Sequence, residues 1–459
     1  MSEFINNNNK PTKFAFFGCW NETHYPSGEN LDAPCFQIQE NTTKNPCDEF
    51  SFVLNHLKQK HNDIDFLVVA GDNYYPEKNT EIKIKIENKI ETEYTKKTKK
   101  FEINDFNKGF EALKFIDKPT YLLLGNHDVD NITPKEKKKE DKSEKKEKDK
   151  SKKKEEVDCR IIESEIEFVN VENSKIKLFD YKTELIVEEM QETNTLCIMV
   201  DTSIFIEKLD CYAPLLNESD KHWNKEQIID KQKRMIQTVI EKHNNKKTIT
   251  NLCFFGHHPL LCLKSRDRGS TIELEDTNME WNRFLFHVIL ENDLQKIQNK
   301  YYFCADLHHY QTGVITITNG ETSIKIKQYI AGTGGAYMDP EIIPDQITPD
   351  QITPHHERKI SIQEEDSENV IYSSYKMEKS RKENGFLIIH DNPNSLLQIR
   401  FYPVHLSKIK AKPLSHLPSS RSRRRSHYLS RRGNNRIKKS QSLGGKTRRI
   451  QRKSKKNKH

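Results

Sequence analysis

The sequence predicts an α/β fold in which parallel strands end in polar loops. The clearest strand covers residues 66–70, a short apolar run that stops at Gly71 and is followed by Asp72 and Asn73. An apolar run of this length beside a glycine is typical of a strand buried on both faces of a parallel sheet. Open α/β sheets place their chemistry at the carboxyl ends of such strands. The polar residues after this strand are therefore candidate site residues.

The same pattern occurs four more times along the chain. Apolar runs at residues 14–17, 121–124, 252–255 and 301–304 lead into Gly18-Cys19-Trp20, Gly125-Asn126-His127-Asp128, Gly256-His257-His258 and Ala305-Asp306-Leu307-His308. Five strands thus end in thiol, carboxylate, amide or imidazole groups. Because neighbouring strands of one sheet lie about 4.8 Å apart, we expect these loops to converge on one or two metal ions.

Apolar residues at helical spacing predict helices between these strands. The predicted helices cover residues 50–60, 106–115, 225–243 and 281–290. Additional strands are predicted at residues 161–171, 175–179, 196–203, 314–317, 324–330, 385–390 and 396–402. Helices that alternate with strands in this way favour an α/β architecture.

Composition predicts one folded domain with charged insertions. The domain spans residues 13–405, after a polar lead at residues 1–12 and before a tail at residues 406–459. Insertions are predicted at residues 77–100, 131–156 and 341–383. Residues 135–156 hold twelve Lys and eight Asp or Glu among 22 positions, too little apolar surface to offset the entropy of ordering.

The net charge of +8 comes from the tail. Residues 407–459 contain 20 Lys or Arg and no Asp or Glu, so the other 406 residues carry −12, which is +8 less +20. Such a tail can bind the phosphates of nucleic acid, bind an acidic protein, or remain solvated. All three stay open here. The Lys-, Asn- and Ile-rich usage resembles that of proteins from large AT-rich DNA viruses, so a viral origin is an expectation.

Cysteine usage predicts an intracellular protein. Nine cysteines lack CxxC pairs, and Cys197, Cys253 and Cys304 lie inside apolar strands, as free thiols do in a reducing compartment. The amino terminus has no basic and apolar signal regions, and no stretch approaches 18 apolar residues, which predicts neither secretion nor a membrane segment. We expect the cytoplasm or nucleus, or a virion or host cell if the protein is viral.

Four motifs in fixed order resemble those of the calcineurin-like metallophosphoesterases. They are Gly71-Asp-Asn-Tyr-Tyr75, Gly125-Asn-His-Asp128, Gly256-His-His-Pro259 and Asp306-Leu-His308. Tyr75, three residues after Asp72, and Trp20, after the first strand, make the chain similar to the purple (tartrate-resistant) acid phosphatase branch of this family. The resemblance covers residues 11–130 and 157–405. It implies a four-layer α/β/β/α fold, with two packed mixed β-sheets flanked by helices.

The resemblance implies a dinuclear site holding two metal ions, which we expect to be Fe, Zn or Mn. Seven residues stand at ligand positions: Cys19, Asp72, Tyr75, Asn126, His257, Asp306 and His308. In the family, the aspartate at the position of Asp72 bridges both ions. The positions of Tyr75 and His308 belong to the first ion, and those of Asn126, His257 and Asp306 belong to the second.

The resemblance also implies how a phosphorylated substrate is hydrolysed. His127 would be the general acid or a phosphate contact, Asp128 would orient it, and His258 is a further candidate for contact with the substrate. A metal-activated hydroxide would attack the phosphorus of a phosphomonoester. These implications make a metal-dependent phosphoesterase the first functional hypothesis.

Two positions depart from the family pattern. Cys19 stands where the branch has the Asp of a Gly-Asp-Trp-Gly motif, and Asp306 stands where it has the first His of Gly-His-x-His. Both side chains can bind metal. Cys19 could instead be inert packing, with Glu22 or His24 supplying a donor. A catalytically impaired phosphatase-like scaffold is therefore the alternative hypothesis.

Overall fold

The computed structural model describes residues 12–21, 48–75, 77–80, 97–130, 157–171, 174–182, 187–190, 195–206, 209–244, 249–266, 271–275, 279–319, 321–335, 339, 357–361, 370–392 and 395–404. They belong to one compact unit, Met1–Ile409. The predicted insertion at 131–156, the tail at 406–459, all but the last residue of the polar lead, and residues Glu22 and His24 lie outside the described residues.

The first sheet is a six-stranded mixed sheet. Its strands are β1 (Thr12–Phe17), β2 (Phe66–Val69), β5 (Thr120–Leu122), β6 (Ile176–Leu178), β17 (Gly385–Asp391) and β18 (Gln398–Pro403). Their order across the sheet is β18-β17-β1-β2-β5-β6. Strands β1, β2, β5 and β6 run parallel, whereas β17 pairs antiparallel with β1 and with β18.

The second sheet has eight strands in the order β15-β16-β13-β14-β12-β9-β8-β7. In chain order these are β7 (Val187–Met190), β8 (Thr195–Met199), β9 (Asn251–Phe255), β12 (Asn299–Cys304), β13 (Tyr310–Asn319), β14 (Thr322–Ala331), β15 (Glu357–Ser361) and β16 (Val370–Arg381). Two hairpins stand apart: β3 (Glu77–Thr80) with β4 (Lys97–Lys100), and β10 (Cys262–Arg266) with β11 (Thr271–Glu275).

Six α-helices accompany the sheets within the described residues. They are α1 (Asp48–His61), α2 (Ile103–Lys114), α3 (Asn126–Val129), α4 (Arg160–Val169), α5 (Lys225–Asn244) and α6 (Met279–Glu291). None of these helices combines the length and the apolar character needed to cross a membrane.

Alternating side chains stack the layers. Phe14 and Phe16 of β1 face the second sheet, where both rings lie within 6.0 Å of the Phe255 ring. Because side chains alternate along a strand, Phe17 points to the opposite face of the sheet and packs against Phe50 of α1. On the far side of the second sheet, Tyr302 of β12 packs against Trp281 of α6. This period of two in β1 confirms the predicted α/β/β/α sandwich.

The two sheets join where their strands end. The Gly18 N–H donates to the Ala331 carbonyl at 2.9 Å, and the Gly334 N–H donates to the Gly18 carbonyl at 3.0 Å. A Cβ on Gly18 would lie 2.5 Å from the Ala305 Cβ. The absence of a side chain at Gly18 therefore lets the carboxyl ends of β1 and β12 approach each other across the interface between the sheets.

One of the predicted elements was wrong. Residues 161–171 were predicted as a strand, because isoleucine and glutamate alternate there, but they lie mostly in helix α4. Its buried residues Ile161, Ile162, Glu165 and Phe168 form one helical stripe, which the alternation obscured. Within the predicted insertion at residues 341–383, the structure describes β15 and β16, and ten residues of β16 pair with β13.

Cysteine pairing also corrects the sequence analysis. Cys197, Cys253 and Cys304 are buried free thiols, as predicted. Cys159 and Cys211 instead form a disulfide, with 5.3 Å between their Cα atoms. The two residues are 52 positions apart, and only the packing of the start of α4 against the turn at residues 209–211 brings them together. No local sequence motif could have indicated this pair.

Candidate metal centre

The polar loops meet in the crevice between the carboxyl ends of the two sheets. Strands β1, β2 and β5 deliver Cys19, Asp72 and Asn126 from the first sheet, and β9 and β12 deliver His257 and Asp306 from the second. The strand pattern alone predicted neighbouring loops of one sheet. Two sheets contribute because Gly18 lets their strand ends touch. The convergence itself is as expected.

Three of these residues have a left-handed backbone. The φ angles are 52° at Cys19, 50° at Asp72 and 57° at Asp306. This conformation costs a residue with a Cβ roughly 1–2 kcal/mol, so it persists only where surrounding contacts impose it. All three residues directly end a strand or its extension. The turn aims each side chain into the crevice rather than along the sheet face.

The carboxylate of Asp72 lies between two groups of donors. Its Oδ2 accepts a hydrogen bond from the Tyr75 hydroxyl at 2.9 Å. Its Oδ1 accepts one from the His127 N–H at 3.1 Å and lies 3.3 Å from His257 Nε2. Asp72 is almost fully buried. Each oxygen therefore faces a different part of the site.

The first donor set consists of Cys19, Asp72, Tyr75 and His308. Donor atoms of Cys19, Asp72 and His308 lie within 4.8 Å of one another, and the Tyr75 hydroxyl is 3.0 Å from His308 Nε2. Burial, reinforced by the charge of Asp72, raises the pKa of both the Cys19 thiol and the Tyr75 hydroxyl. Without a cation, both groups therefore hold their protons.

The second donor set consists of Asp72, Asn126, His257 and Asp306. The Ala70 carbonyl lies 2.6 Å from His257 Nδ1, which directs Nε2 of that ring into the crevice. There Nε2 lies 3.2 Å from Asn126 Oδ1 and 3.9 Å from Asp306 Oδ1. Burial opposes protonation of His257, but the charge and hydrogen bond of Asp72, the charge of Asp306 and the Ala70 carbonyl together outweigh burial and raise the pKa of His257 to about 9.

These residues fit a pair of transition-metal ions. Imidazole, carboxylate, phenol and thiol are donors that zinc, iron or manganese accept. Ligands about 2.1 Å from an ion at octahedral positions lie about 3.0 Å apart, close to the 2.9 and 3.0 Å around the Tyr75 hydroxyl. Burial raises the pKa of Asp306 as well. A cation would relieve this concentration of buried acidic groups.

Two glycines allow the loops of β2 and β5 to touch. Gly71 has a φ of 71°, which favours glycine, and a Cβ there would lie 2.5 Å from the Gly125 nitrogen. A Cβ on Gly125 would lie 2.2 Å from the Asp72 nitrogen and 2.3 Å from its Oδ1. Any side chain at Gly125 would therefore displace Asp72.

The three predicted catalytic residues occupy different surroundings. The His127 ring is partly exposed and lies 4.8 Å from the Tyr75 ring. The His258 ring is buried, lies 4.6 Å from the His257 ring, and has a pKa lowered by burial and by His257. Asp128 points inward, where its carboxylate accepts hydrogen bonds from the Gly125 and Asn73 N–H groups at 2.7 and 2.8 Å.

Asp128 belongs to a buried clamp that sequence analysis did not foresee. The Asn73 amide nitrogen donates to Asp128 Oδ2 at 3.1 Å and lies 3.4 Å from Glu165 Oε2, while the Trp20 ring N–H donates to Asn73 Oδ1 at 3.0 Å. Burial, followed by the charge of Asp72, raises the pKa of Asp128 to about 7. If residues 160–169 had been predicted as a helix, Glu165 would have been expected on its buried face.

Thr202 is the second residue whose role was missed. It is fully buried after β8, and its hydroxyl accepts hydrogen bonds from the N–H groups of His257 and His258 at 3.1 and 3.0 Å. Thr202 was predicted to lie in the strand at residues 196–203, with no role in the site. Its position beside the second donor set depends on the parallel pairing of β8 with β9.

Comparisons with solved structures found several similar chains. Structures similar to this chain include the purple acid phosphatase PPD1 from yellow lupin seeds (12% identity, 86% of this chain and 52% of the other, TM-score 0.39). PhoD is 10% identical, with 86% of this chain and 70% of PhoD covered and a TM-score of 0.40. GAP50, described as the anchor in the inner membrane complex of Plasmodium, is 10% identical, with 87% of each chain covered and a TM-score of 0.36. The chain spans about half the length of the lupin phosphatase.

A comparison with curated protein sequences gave no match. The family model for calcineurin-like phosphoesterases, in contrast, matches residues 12–310. This match covers well over half of the chain and includes all the residues of both donor sets. The chain belongs to the calcineurin-like phosphoesterase family.

Proposed function

We propose that this chain hydrolyses phosphomonoesters at a dinuclear metal site of the purple acid phosphatase type. The observation that carries the proposal is the position of Asp72, whose two oxygens face two different donor sets. One carboxylate shared by two ions can hold them about 3.5–4 Å apart, the separation of two-metal phosphoryl-transfer sites. Membership of the calcineurin-like phosphoesterase family supports this reaction class.

The two donor sets would hold one ion each, with Asp72 common to both. When bound, the ions would supply an activated water nucleophile and neutralise charge that develops on the phosphoryl oxygens. Iron, zinc or manganese fits the donors, and the Cys19 thiol favours iron or zinc because sulfur is the softer ligand. Tyr75 supports the purple acid phosphatase type, since its hydroxyl touches both Asp72 and His308.

The residues of the chain would orient the substrate and move one proton. His127 lies at the partly exposed rim of the site, where its ring can give a proton to the leaving-group oxygen. Its backbone N–H also fixes Asp72 Oδ1. Asp128 acts as a positioning residue, because its carboxylate ties the Gly125 loop to Asn73 rather than standing at the rim.

Hydrolysis of an aryl phosphate by the purified full chain tests this proposal. We expect turnover with added iron, zinc or manganese, and its loss in Asp72→Asn and His257→Ala. His222→Ala is the matched control, because His222 is an exposed histidine outside the donor sets. Turnover that is equal in all four proteins would refute the proposal.

A catalytically impaired phosphatase-like scaffold is the second candidate, motivated by Cys19 and Asp306. These two residues lie in the donor sets, yet differ from the family pattern. Protein that binds two ions but does not hydrolyse the aryl phosphate, and gains turnover with Cys19→Asp and Asp306→His together, would favour the scaffold. Turnover in the unchanged protein would exclude it.

We further propose that the basic tail, residues 407–459, binds nucleic acid or an acidic protein. Its 20 Lys or Arg without any Asp or Glu support contacts to phosphate or carboxylate groups. Removal of residues after Val404 should abolish salt-sensitive binding to DNA or RNA. Binding that persists after truncation would show that the tail is not responsible.

An intracellular location is likewise a proposal. It rests on the buried free thiols of Cys197, Cys253 and Cys304, which are typical of proteins in a reducing compartment. The Cys159–Cys211 pair provides a direct check, because disulfides are rare in reducing compartments. Alkylation of the protein in its producing cells should trap free Cys159 if the location is cytoplasmic or nuclear. A fully oxidised pair would argue against that location.

A further inference from the structure

The Thr202 hydroxyl lies at the centre of the loop that carries His257 and His258. It accepts from two backbone N–H groups, those of His257 at 3.1 Å and His258 at 3.0 Å. It also lies 3.0 Å from His258 Nδ1. A hydroxyl has two acceptor lone pairs and one proton. The two N–H groups occupy both lone pairs, so the hydroxyl proton is left for Nδ1.

This arrangement fixes the tautomer of His258. A ring nitrogen that accepts a hydrogen bond carries no proton, and the other nitrogen of a neutral imidazole then carries it. His258 therefore presents Nε2 as an N–H donor. A protonated Nε2 cannot ligate a metal ion. A ring nitrogen of His258 lies within 4.8 Å of donor atoms of His257 and Asp306, so the His258 ring lies at the edge of the second donor set.

The surroundings of Thr202 leave its hydroxyl little freedom. Thr202 is fully buried, and its methyl group would meet a Cβ at Gly256 at 2.8 Å. The preceding carboxylate of Asp201 accepts from the Ser203 N–H at 2.9 Å and the Tyr181 hydroxyl at 2.9 Å. Ser203 in turn donates to the Leu124 carbonyl at 3.3 Å. The turn at residues 201–203 thus connects the loops after β5 and β9.

We propose that Thr202 is a positioning residue that holds His258 as a neutral Nε2–H donor for a phosphoryl oxygen of the substrate. This role rests on the proposed phosphoesterase function and deepens it. A neutral donor beside the second ion binds the anionic phosphoryl group without adding a ligand to that ion. It also explains why the loop carries two adjacent histidines with different tasks: His257 offers a lone pair, and His258 offers a proton.

Two substitutions of similar size separate the hydroxyl from the shape of the side chain. Thr202→Ser keeps the hydroxyl, and Thr202→Val keeps the branched shape without it. Nitrogen NMR of histidine-labelled, metal-free protein reports the tautomer directly. We expect an unprotonated Nδ1 and a protonated Nε2 at His258 in the unchanged protein and in Thr202→Ser, and a mixture of tautomers in Thr202→Val.

Binding of inorganic phosphate to the metal-loaded full chain is the second readout. Loss of a hydrogen bond to a charged group weakens binding about tenfold to a hundredfold, so we expect that loss in His258→Phe. Thr202→Val should weaken phosphate binding by a smaller factor, set by the fraction of His258 that keeps its proton on Nε2. Thr202→Val added to His258→Phe should change phosphate affinity no further, because Thr202 acts through His258. Thr202→Ser should keep the phosphate affinity of the unchanged protein.

Two results would overturn the inference. One is a protonated Nδ1 at His258 in the unchanged protein, a measurement that stands even if Thr202→Val does not fold. The other is equal phosphate affinity in Thr202→Val and Thr202→Ser. Failure of the proposed function looks different: the tautomer and the phosphate affinities would follow the pattern above, while no variant and no unchanged protein hydrolyses an aryl phosphate.

Discussion

The Asn73 amide supports the loop of Asp72, the proposed shared ligand, and Asn73→Asp is the sharpest test of that support. The amide orientation is unambiguous, because the Trp20 ring N–H can only donate to Asn73 Oδ1 and the Leu123 carbonyl can only accept from Nδ2. Nδ2 lies 2.9 Å from the Leu123 oxygen, 3.1 Å from Asp128 Oδ2 and 3.4 Å from Glu165 Oε2. An aspartate there would place an oxygen against three acceptors.

The expected loss follows from these contacts. Asn73, Asp128 and Glu165 are all buried, and each buried acceptor left without a donor costs about 1–3 kcal/mol. Two hydrogens of the amide are lost, and a third buried carboxyl group is added. We therefore expect Asn73→Asp to lower the free energy of unfolding by about 3–6 kcal/mol, measured by guanidinium denaturation at pH 7.

Asn224→Asp is the matched control. Its amide oxygen caps helix α5 by accepting from the Gln227 N–H at 2.9 Å, and an aspartate keeps that acceptor. A negative charge at the amino terminus of a helix stabilises the folded protein by up to about 1 kcal/mol. If Asn73→Asp unfolds within about 1 kcal/mol of the control, the proposed clamp around Asp72 is refuted.

Two other predictions concern the disulfide and a buried histidine. Replacing both Cys159 and Cys211 by serine should lower the free energy of unfolding by up to about 4 kcal/mol, as expected for a loop of about 50 residues; a reducing agent should then affect only the unchanged protein, and equal sensitivity of both proteins would contradict the assignment. His61 packs against the Phe386 and Tyr402 rings, and burial, followed by the charges of Lys13 and His56, lowers its pKa to about 4. The charge of Asp63 opposes this lowering of the pKa, and His390 reinforces it. The neutral His61 ring therefore contributes its full stabilisation above about pH 6.5, and this stabilisation is lost as the pH falls towards 4. His61→Phe should flatten the pH dependence of the unfolding midpoint in that range, and an unchanged slope would contradict this.

Sequence patterns predicted the strands and the loop residues, because buried parallel strands and their glycine ends depend on local composition. Cys19, Asp72, Asn126, His257 and Asp306 each follow an apolar run, so their convergence could be expected from the sequence. The left-handed backbone at Asp306 could not be predicted, since no glycine precedes this residue. The sequence also could not show which of the two sheets carries each loop, because contacts between the sheets leave no local sequence pattern.

The supporting residues were harder to predict for a similar reason. Glu165 was hidden by the alternation of isoleucine and glutamate in α4, and only its burial against Asn73 reveals its role. Thr202 depends on three contacts to a loop more than 50 residues away. Hydrogen bonds between distant segments are decided by the fold, so sequence spacing carries little information about them.

Metal content measured by elemental analysis tests the central claim that Asp72 serves two sites. After purification with iron and zinc supplied, we expect about two ions per chain in the unchanged protein and about one in His308→Ala and in His257→Ala, since each removes a ligand of one donor set. Asp72→Ala should retain fewer than about one ion per chain, because both sets lose a shared ligand. An Asp72→Ala protein that keeps both ions, or loses no more than His257→Ala does, would contradict the account.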